Sequence, residues 1–387
     1  MFFKKNVSDV FLLCDVGSNS IGLALIDARM QKIKVLFSER TLANFSSVKT
    51  YIEKQALLTY TLQTSEKEFL HSIKPILDKL DISHLHDAYI VFSSPWYFSK
   101  TTMLCIEKDA EFMLDSHSLG QVIDDEEKKF ENEIARSDNT RFSKRDIHMI
   151  DREIMRVLIN GYETSNPYFK KVKKMEFCLY MSIVPHDFLS KVDELLRTHF
   201  HVNTVTAYSF PLVCYEAVLS MFPHEKNLIL IDAGGETTDV TVVNNGAIEV
   251  SESFPYGRNE AVKSIAQGMR VPVDVATSYL QMMQEKTLEA QIEQILLKEI
   301  ERVTLFWFER WLVIRNAMPQ NSNSKRIFLT AKDDFAPMLS KVLKEKGGYE
   351  VFSATDELLH NFIEHKEYAL DPSVALEAVM LSKKRKK

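Results

Sequence analysis

The sequence predicts an α/β protein of two similar halves, and two observations carry that prediction. Residues 10–27 (VFLLCDVGSNSIGLALID) and 227–253 (NLILIDAGGETTDVTVVNNGAIEVSES) each read as an apolar strand ending in Asp, a glycine-containing turn and a second apolar strand. The segments between and after them carry helical periodicity, so strands and helices alternate along the chain. The return of Asp15-Val16-Gly17-Ser18 as Asp232-Ala233-Gly234-Gly235 is the main organisational signal. Bulk composition agrees: 387 residues, 45% hydrophobic and 26% charged, exclude a disordered, collagen-like or coiled-coil chain. At roughly 150 residues per domain, two or three domains are expected.

The elements follow in order. After the first hairpin, Phe69, Leu70, Ile73, Ile76, Leu77 and Leu80 have helical spacing over 66–80. Residues 88–107 read as strands around Ser93-Ser94-Pro95. The charged stretch 121–157, with DDEEKKFENE at 124–133, reads as a surface helix and a mobile connection. EFCLYMSIV (176–184) is a strand, and helices are expected at 186–199 and 211–221. In the second half, Asn245-Gly246 predicts a tight hairpin. Helices at 258–268, 272–284 and 288–314 come next, then a buried strand RIFLT (326–330) and a helix at 335–346. Ile292, Leu296, Ile300, Val303, Trp307, Trp311 and Ile314 form one apolar stripe, read as core packing rather than a partner groove.

Several function classes are excluded or weakened. The N-terminal stretch lacks the features of a signal peptide, and no run of about 18 apolar residues is long enough to span a membrane. Cys14, Cys105, Cys178 and Cys214 are far apart without a CxxC pair, as expected of reduced thiols in a cytoplasmic protein. His84/His86 and His199/His201 lack a third nearby ligand, so no metal site is expected there. The KKRKK run at 383–387, opened by Lys383 and closed by Lys387, carries five positive charges; the rest of the chain therefore stands at −11 against the overall −6. That acidic body argues against nucleic acid as a partner. The basic run offers at most weak, indirect contact with an anionic membrane, about 1 kcal/mol per basic residue near the surface.

Glycine is scarce: 11 residues, where about 7% usage gives roughly 27. Its positions are therefore informative, and the two Asp-containing turns hold Gly17, Gly234 and Gly235. A glycine turn exposes successive N–H groups as an anion-binding nest. Two such turns face to face can clamp a polyphosphate, with Ser18, Asn19, Ser20, Thr237 and Thr238 adding donors. Asp15 and Asp232 can hold Mg²⁺, mostly through water, bridging to phosphate oxygens.

DVGSNS at 15–20 and DAGGETTDVTV at 232–242 resemble the two phosphate motifs of the actin-like ATPase superfamily, and the second is similar to that of the FtsA-type bacterial actin homologues. SFPYGRNEAVKSIAQGMRVPVDVA (253–276) resembles the stretch that follows it in FtsA, and 160–189 resembles the family's inserted 1C subdomain. The resemblance covers most of residues 10–380. It implies an actin-like ATPase fold with subdomain 1A at 1–86 and 204–227, an α+β 1C-type insertion at 87–203, and a second half at 228–387 that includes helical 2B at about 258–320 and the basic tail. It also implies ATP and Mg²⁺ between the halves, self-association into a filament or ring, and a partner such as an FtsZ-like tubulin homologue. Phosphate contacts fall to Gly17, Ser18, Asn19, Ser20, Gly234, Gly235, Thr237 and Thr238, the metal to Asp15 and Asp232, and the adenosine side to Thr330, Ala331 and Lys332.

The sequence departs from that pattern in four places. The glycine-rich adenosine turn is replaced by Ala331-Lys332-Asp333-Asp334; Glu236 stands where a third glycine is common, Ser20 where lysine is common, and Arg258 where a second glycine follows Gly257. Added Cβ atoms and two carboxylates predict weakened nucleotide binding. Residues 372–381 run straight into the basic tail without the apolar face of an amphipathic membrane helix, which resembles PilM, a pilus-assembly ring component recruited by a pilus membrane protein. Three functions stay open: a cytoskeletal adaptor of FtsA or PilM type, a nucleotide-free scaffold, and a phosphatase of the exopolyphosphatase type. Glu216 and Asp239 are the candidates for a general base.

Overall fold

The apolar run before Asp15 forms a strand buried along its whole length, at the heart of a mixed sheet. The computed structural model describes residues 9–385 except 31, 46–47, 49, 114–115, 137–145, 165–169, 319–323 and 366–369. Strands β1 (Val10–Val16), β2 (Ser20–Asp27) and β3 (Ile33–Leu42) form an antiparallel meander. Helix α1 (Tyr51–Lys79) starts at Thr50, whose hydroxyl accepts from Glu53 N while the Glu53 carboxylate accepts from Thr50 N, a reciprocal cap. Strand β4 (Asp87–Phe92) then lies parallel to β1.

A separate unit is inserted next. Strands β5 (Phe98–Met113), β6 (Ile147–Ile159), β7 (Tyr162–Glu163) and β8 (Lys171–Pro185) form a sheet in the order β5-β8-β6-β7. Helix α2 (Ser116–Arg136) covers it, packing Leu119, Ile123 and Phe130 with Phe177, Leu179 and Ile183. Helix α3 (His186–Phe200) returns to the first sheet, burying Phe188, Val192 and Leu196 with Phe69 and Phe92. Strand β9 (Thr204–Ser209) extends that sheet parallel to β4, and α4 (Phe210–Met221) leads to the second half.

There β10 (Leu228–Ala233), β11 (Thr238–Asn244) and β12 (Ala247–Phe254) make a second meander. Its tight turn has Asn245 and Gly246 at φ 50° and 71°, as a two-residue hairpin of this handedness requires. Helices α5 (Arg258–Met269), α6 (Val273–Gln284) and α7 (Ala290–Ala317) cover it; Leu296, Ile300, Val303, Trp307 and Trp311 are core, as the stripe predicts. Strand β13 (Arg326–Ala331) lies parallel to β10, and after α8 (Ala336–Glu345) strand β14 (Glu350–Ser353) lies parallel to β13. The two sheets repeat one topology, β3-β2-β1-β4-β9 and β12-β11-β10-β13-β14. The predicted duplication is present.

Two expected boundaries move. The insertion occupies 98–185 rather than 87–203, because β4 and α3 belong to the first sheet and its core. The chain end does not stay with the second half. After α9 (Asp356–Leu359), β15 (Ile363–His365) pairs with β3, and α10 (Pro372–Lys384) packs against α4 and the first sheet, with Val374–Ser382 buried. A helix buried along its length is a core helix, and this one buries Glu377 along with its apolar residues. The basic residues that follow are engaged internally: Lys383 donates to Ser220 Oγ at 2.9 Å, Lys384 to Glu153 at 2.7 Å, and Arg385 pairs with Asp87 at 2.7 Å. Membrane contact through Lys383 and Lys384 thus competes with these bonds, while Lys387 lies outside the described residues. So do 137–145 and 165–169, within the charged stretch and the 1C-like segment.

The insertion is fastened to the core by a buried carboxylate. Asp151 on β6 accepts from Ser209 N at 2.9 Å and from the Ser182 hydroxyl. Burial pushes it from 3.8 up to about 6 against those bonds. The folded state therefore holds a proton that the unfolded chain releases, so Asp151 lowers stability as pH rises from about 4 to about 6 and adds no further slope above. Relative to Asp151→Asn, the parent should lose about 3 kcal/mol across that window. Urea melts of both proteins at stepped pH measure the difference, and parallel curves would refute it.

Candidate functional site

The ends of β1 and β10 face each other across a cleft between the two halves, lined by Asp15, Gly17–Ser20 from one turn and Asp232–Gly235 from the other. Each turn closes in the same way. Gly17 N donates to Ser20 O and Gly234 N to Thr237 O, both at 2.9 Å. In register, Asp15 lies opposite Gly22 and Asp232 opposite Asp239, so the two hairpins are equivalent strand by strand.

The turns touch. Glu236 N donates to Ser18 Oγ at 2.9 Å, and Thr237 Oγ1 donates to Ser94 O at 3.0 Å. The Asn19 amide lies against Gly235, where a Cβ would sit 2.0 Å from Asn19 Oδ1. The Gly257 backbone presses on the second turn from behind, with Arg258 N and Asn259 N donating to Gly234 O and Gly235 O at 2.9 and 2.8 Å. Glycine at 235 and 257 thus serves contact between protein segments.

Most of the expected residues are gathered here: Asp15, Gly17, Ser18, Asn19, Ser20, Asp232, Gly234, Gly235, Thr237, Thr330, Ala331 and Lys332 all line the cleft. Thr238 does not. It is fully buried, donating to Tyr256 O at 2.7 Å and accepting from Trp307 Nε1 at 3.1 Å, because its strand position points into the second core. Of the two candidate bases, Glu216 lies on α4 away from the cleft, and Asp239 accepts from Ser94 N and Tyr97 OH at 3.4 and 3.3 Å. Burial raises Asp239 to about 6, which those donors only partly offset.

Sequence reasoning missed Arg40, Asp371, Ser93, Ser94, Asn259 and Ser373, which also line the cleft. Arg40 donates Nε to Asp371 Oδ2 at 2.5 Å and Nη1 to Ser20 Oγ at 2.8 Å, and pairs through Nη2 with Asp15 Oδ2. Burial works against its charge, but Asp371 and Asp15 more than offset that, so the guanidinium is held protonated. Burial pushes Asp15 up against the pull of Arg40. Asp232 is raised by burial, then by Asp239 and Asp15. Asp371 also caps α10, accepting from Ser373 N at 3.0 Å. The Asp371-Pro372 pair at a helix start was a readable signal for that cap.

Two of the departures compensate each other. Arg258 binds Asp334 through Nε at 2.7 and 2.9 Å and through Nη2, so the arginine in place of glycine neutralises a carboxylate in place of the adenosine turn. Lys332 beside them is lowered by burial and by Arg258 and Arg40.

Magnesium with ATP fits these residues poorly. Asp15, the expected metal ligand, is already paired with the Arg40 guanidinium. The donors at Gly17, Gly234 and Glu236 are spent within and between the turns. The cavity is about 100 Å³, where small-molecule sites are typically about 300–1,000 Å³.

No family model matches the sequence. Over 66 residues it is 38% identical to the cell division protein FtsA of Neisseria meningitidis serogroup B, a match of 17% of this chain and 16% of that protein. The match thus spans about a sixth of FtsA. Among solved structures, a chain of the PilM–PilN type IV pilus biogenesis complex superposes with a TM-score of 0.62 at 10% identity, covering 96% of this chain and 97% of that one. The ethanolamine utilization protein EutJ of Carboxydothermus hydrogenoformans gives 0.47 at 11% identity over 95% and 88%. The chain has the actin-like ATPase fold; it resembles FtsA over 66 residues of sequence and a chain of the PilM–PilN complex in structure.

Proposed function

We propose that this chain is an assembly adaptor of the FtsA/PilM kind, which self-associates and links a ring at the inner face of the cell membrane to its membrane machinery. The observation that carries the reading is the doubled fold with an α+β unit inserted after β4, whose likeness to a chain of the PilM–PilN complex extends over 96% of this chain. A FtsZ-like tubulin homologue or a pilus membrane protein is the partner that this kind of role calls for. The pilus form is favoured by α10: its apolar residues are spent in the core, which supports recruitment by a partner rather than by this helix. Of the nucleotide-bound and nucleotide-free versions, the direct contact of the two turns supports the second.

The test is sedimentation of the purified full chain over a range of concentrations, alone and with vesicles carrying a candidate pilus membrane protein, with and without ATP and Mg²⁺. Concentration-dependent assembly and retention on partner-bearing vesicles, both indifferent to nucleotide, are expected. A protein that stays monomeric and is not retained on those vesicles is not an adaptor of the pilus form. Release of phosphate from polyphosphate would return the phosphatase reading.

A further inference from the structure

We propose that Arg40 is the resident cation of the cleft: its guanidinium holds Asp15 through Oδ2 and sets its charge against any divalent ion at that carboxylate, whose Oδ1 has no hydrogen-bond partner, so the folded cleft is metal-independent. The inference deepens the nucleotide-free reading above and rests on it.

Cross-strand register places the arginine. Gly22 lies directly opposite Asp15 in the β1–β2 pair, and Arg40 directly opposite Gly22 in the β2–β3 pair. With no side chain at 22, the arginine reaches over the middle strand to the Asp15 carboxylate. A Cβ on Gly22 would lie 3.0 Å from Nη2 and 3.2 Å from Cζ, so the glycine is the cradle of the guanidinium. Gly17 completes it, with Nη1 3.4 Å from where its Cβ would be. The arginine side chain is 18% exposed and touches Asp15, Ser20 and Asp371. In the other half the same two positions are Asp239 and Ser253, so only one of the two equivalent hairpins carries a cation of its own.

The physical consequence is exclusion. Guanidinium does not deprotonate in proteins, so it cannot yield its place by losing charge. A metal ion bound at Asp15 would face that charge at contact distance, or would have to displace it and leave the guanidinium with Asp371 as its one carboxylate partner. The arginine also does what an ion could not: it fastens Asp371, the cap of α10, to the strand end.

Mn²⁺ serves as the probe, because its resonance signal reports bound ion directly, and thermal midpoints are read with chelator or with Mg²⁺. Wild type should bind no Mn²⁺ in the cleft and melt at the same temperature in both solutions. Arg40→Met should melt about 5 °C lower in chelator, should bind Mn²⁺, and should regain part of the loss with Mg²⁺. Arg40→Lys should stay indifferent to metal. If Arg40→Met does not fold, the double variant Arg40→Met/Asp15→Asn should, since it removes the more deeply buried of the two carboxylates that lose the arginine, while Asp371 keeps its bonds from Ser373 N and Val374 N. Wild-type Mn²⁺ binding that Asp15→Asn abolishes would overturn the proposal. So would a folded Arg40→Met that binds no Mn²⁺, or a double variant no more stable than the single one. These readouts are independent of assembly, so failure to sediment would count against the adaptor role while leaving the arginine untouched.

Discussion

Ending the chain before Pro372 is expected to abolish cooperative folding. Helix α10 contributes Val374, Leu376, Met380 and Leu381 to the core shared with α4 and the first sheet, and each is buried. Truncating one large aliphatic core side chain costs about 2–5 kcal/mol, and the whole stability of a domain is about 5–15 kcal/mol. Deleting four such residues together exceeds what the first half can lose. The shortened chain should be insoluble, or soluble without a cooperative melt. A graded version is Leu376→Ala, expected to cost about 3 kcal/mol in urea unfolding. A truncated protein with the parent's melt would mean that α10 is detachable.

The second large effect is expected at Gly257→Ala. The added Cβ would lie 2.5 Å from both Gly234 O and Gly235 O, which are backbone atoms with no rotamer to escape into. Those carbonyls hold the first N–H groups of α5, so relief of the overlap opens two hydrogen bonds and parts the helix from the second turn. A loss of about 3 kcal/mol or more is expected. Gly120→Ala is the control. It lies inside α2 with nothing within 4 Å of a new Cβ, so the same chemical change should stabilise by about 0.5–1 kcal/mol. Urea melts of the pair measure the contrast. Two variants of like stability would show that α5 does not press on the turn.

The glycines illustrate how far residue-level reading reaches. Gly17, Gly234 and Gly235 line the cleft, and Gly257 packs against its second turn. From sequence, they suggest phosphate approaching the backbone. In the folded chain, Gly235 accommodates Asn19, Gly257 the second turn, and Gly22 the guanidinium of Arg40. A glycine says that something comes close; its sequence neighbours do not say what. The same holds for Arg258 and Asp334, 76 positions apart. Each looked like damage to a ligand site when read alone, and they form one ion pair when read together.

From the sequence alone, the local and repeated features followed: the two strand–turn–strand units, the Asn-Gly hairpin and the helices of the second half. Periodicity and turn chemistry are set by residues a few positions apart, so a linear reading captures them. What only the tertiary structure decided was which distant residues share a strand row or a core. Arg40 reaches Asp15 because two successive registers align 15, 22 and 40, and α10 is buried because it returns to the first sheet from the far end of the chain. Pairing register and long-range packing are fixed by the summed burial of whole elements, and no short window of sequence contains that sum.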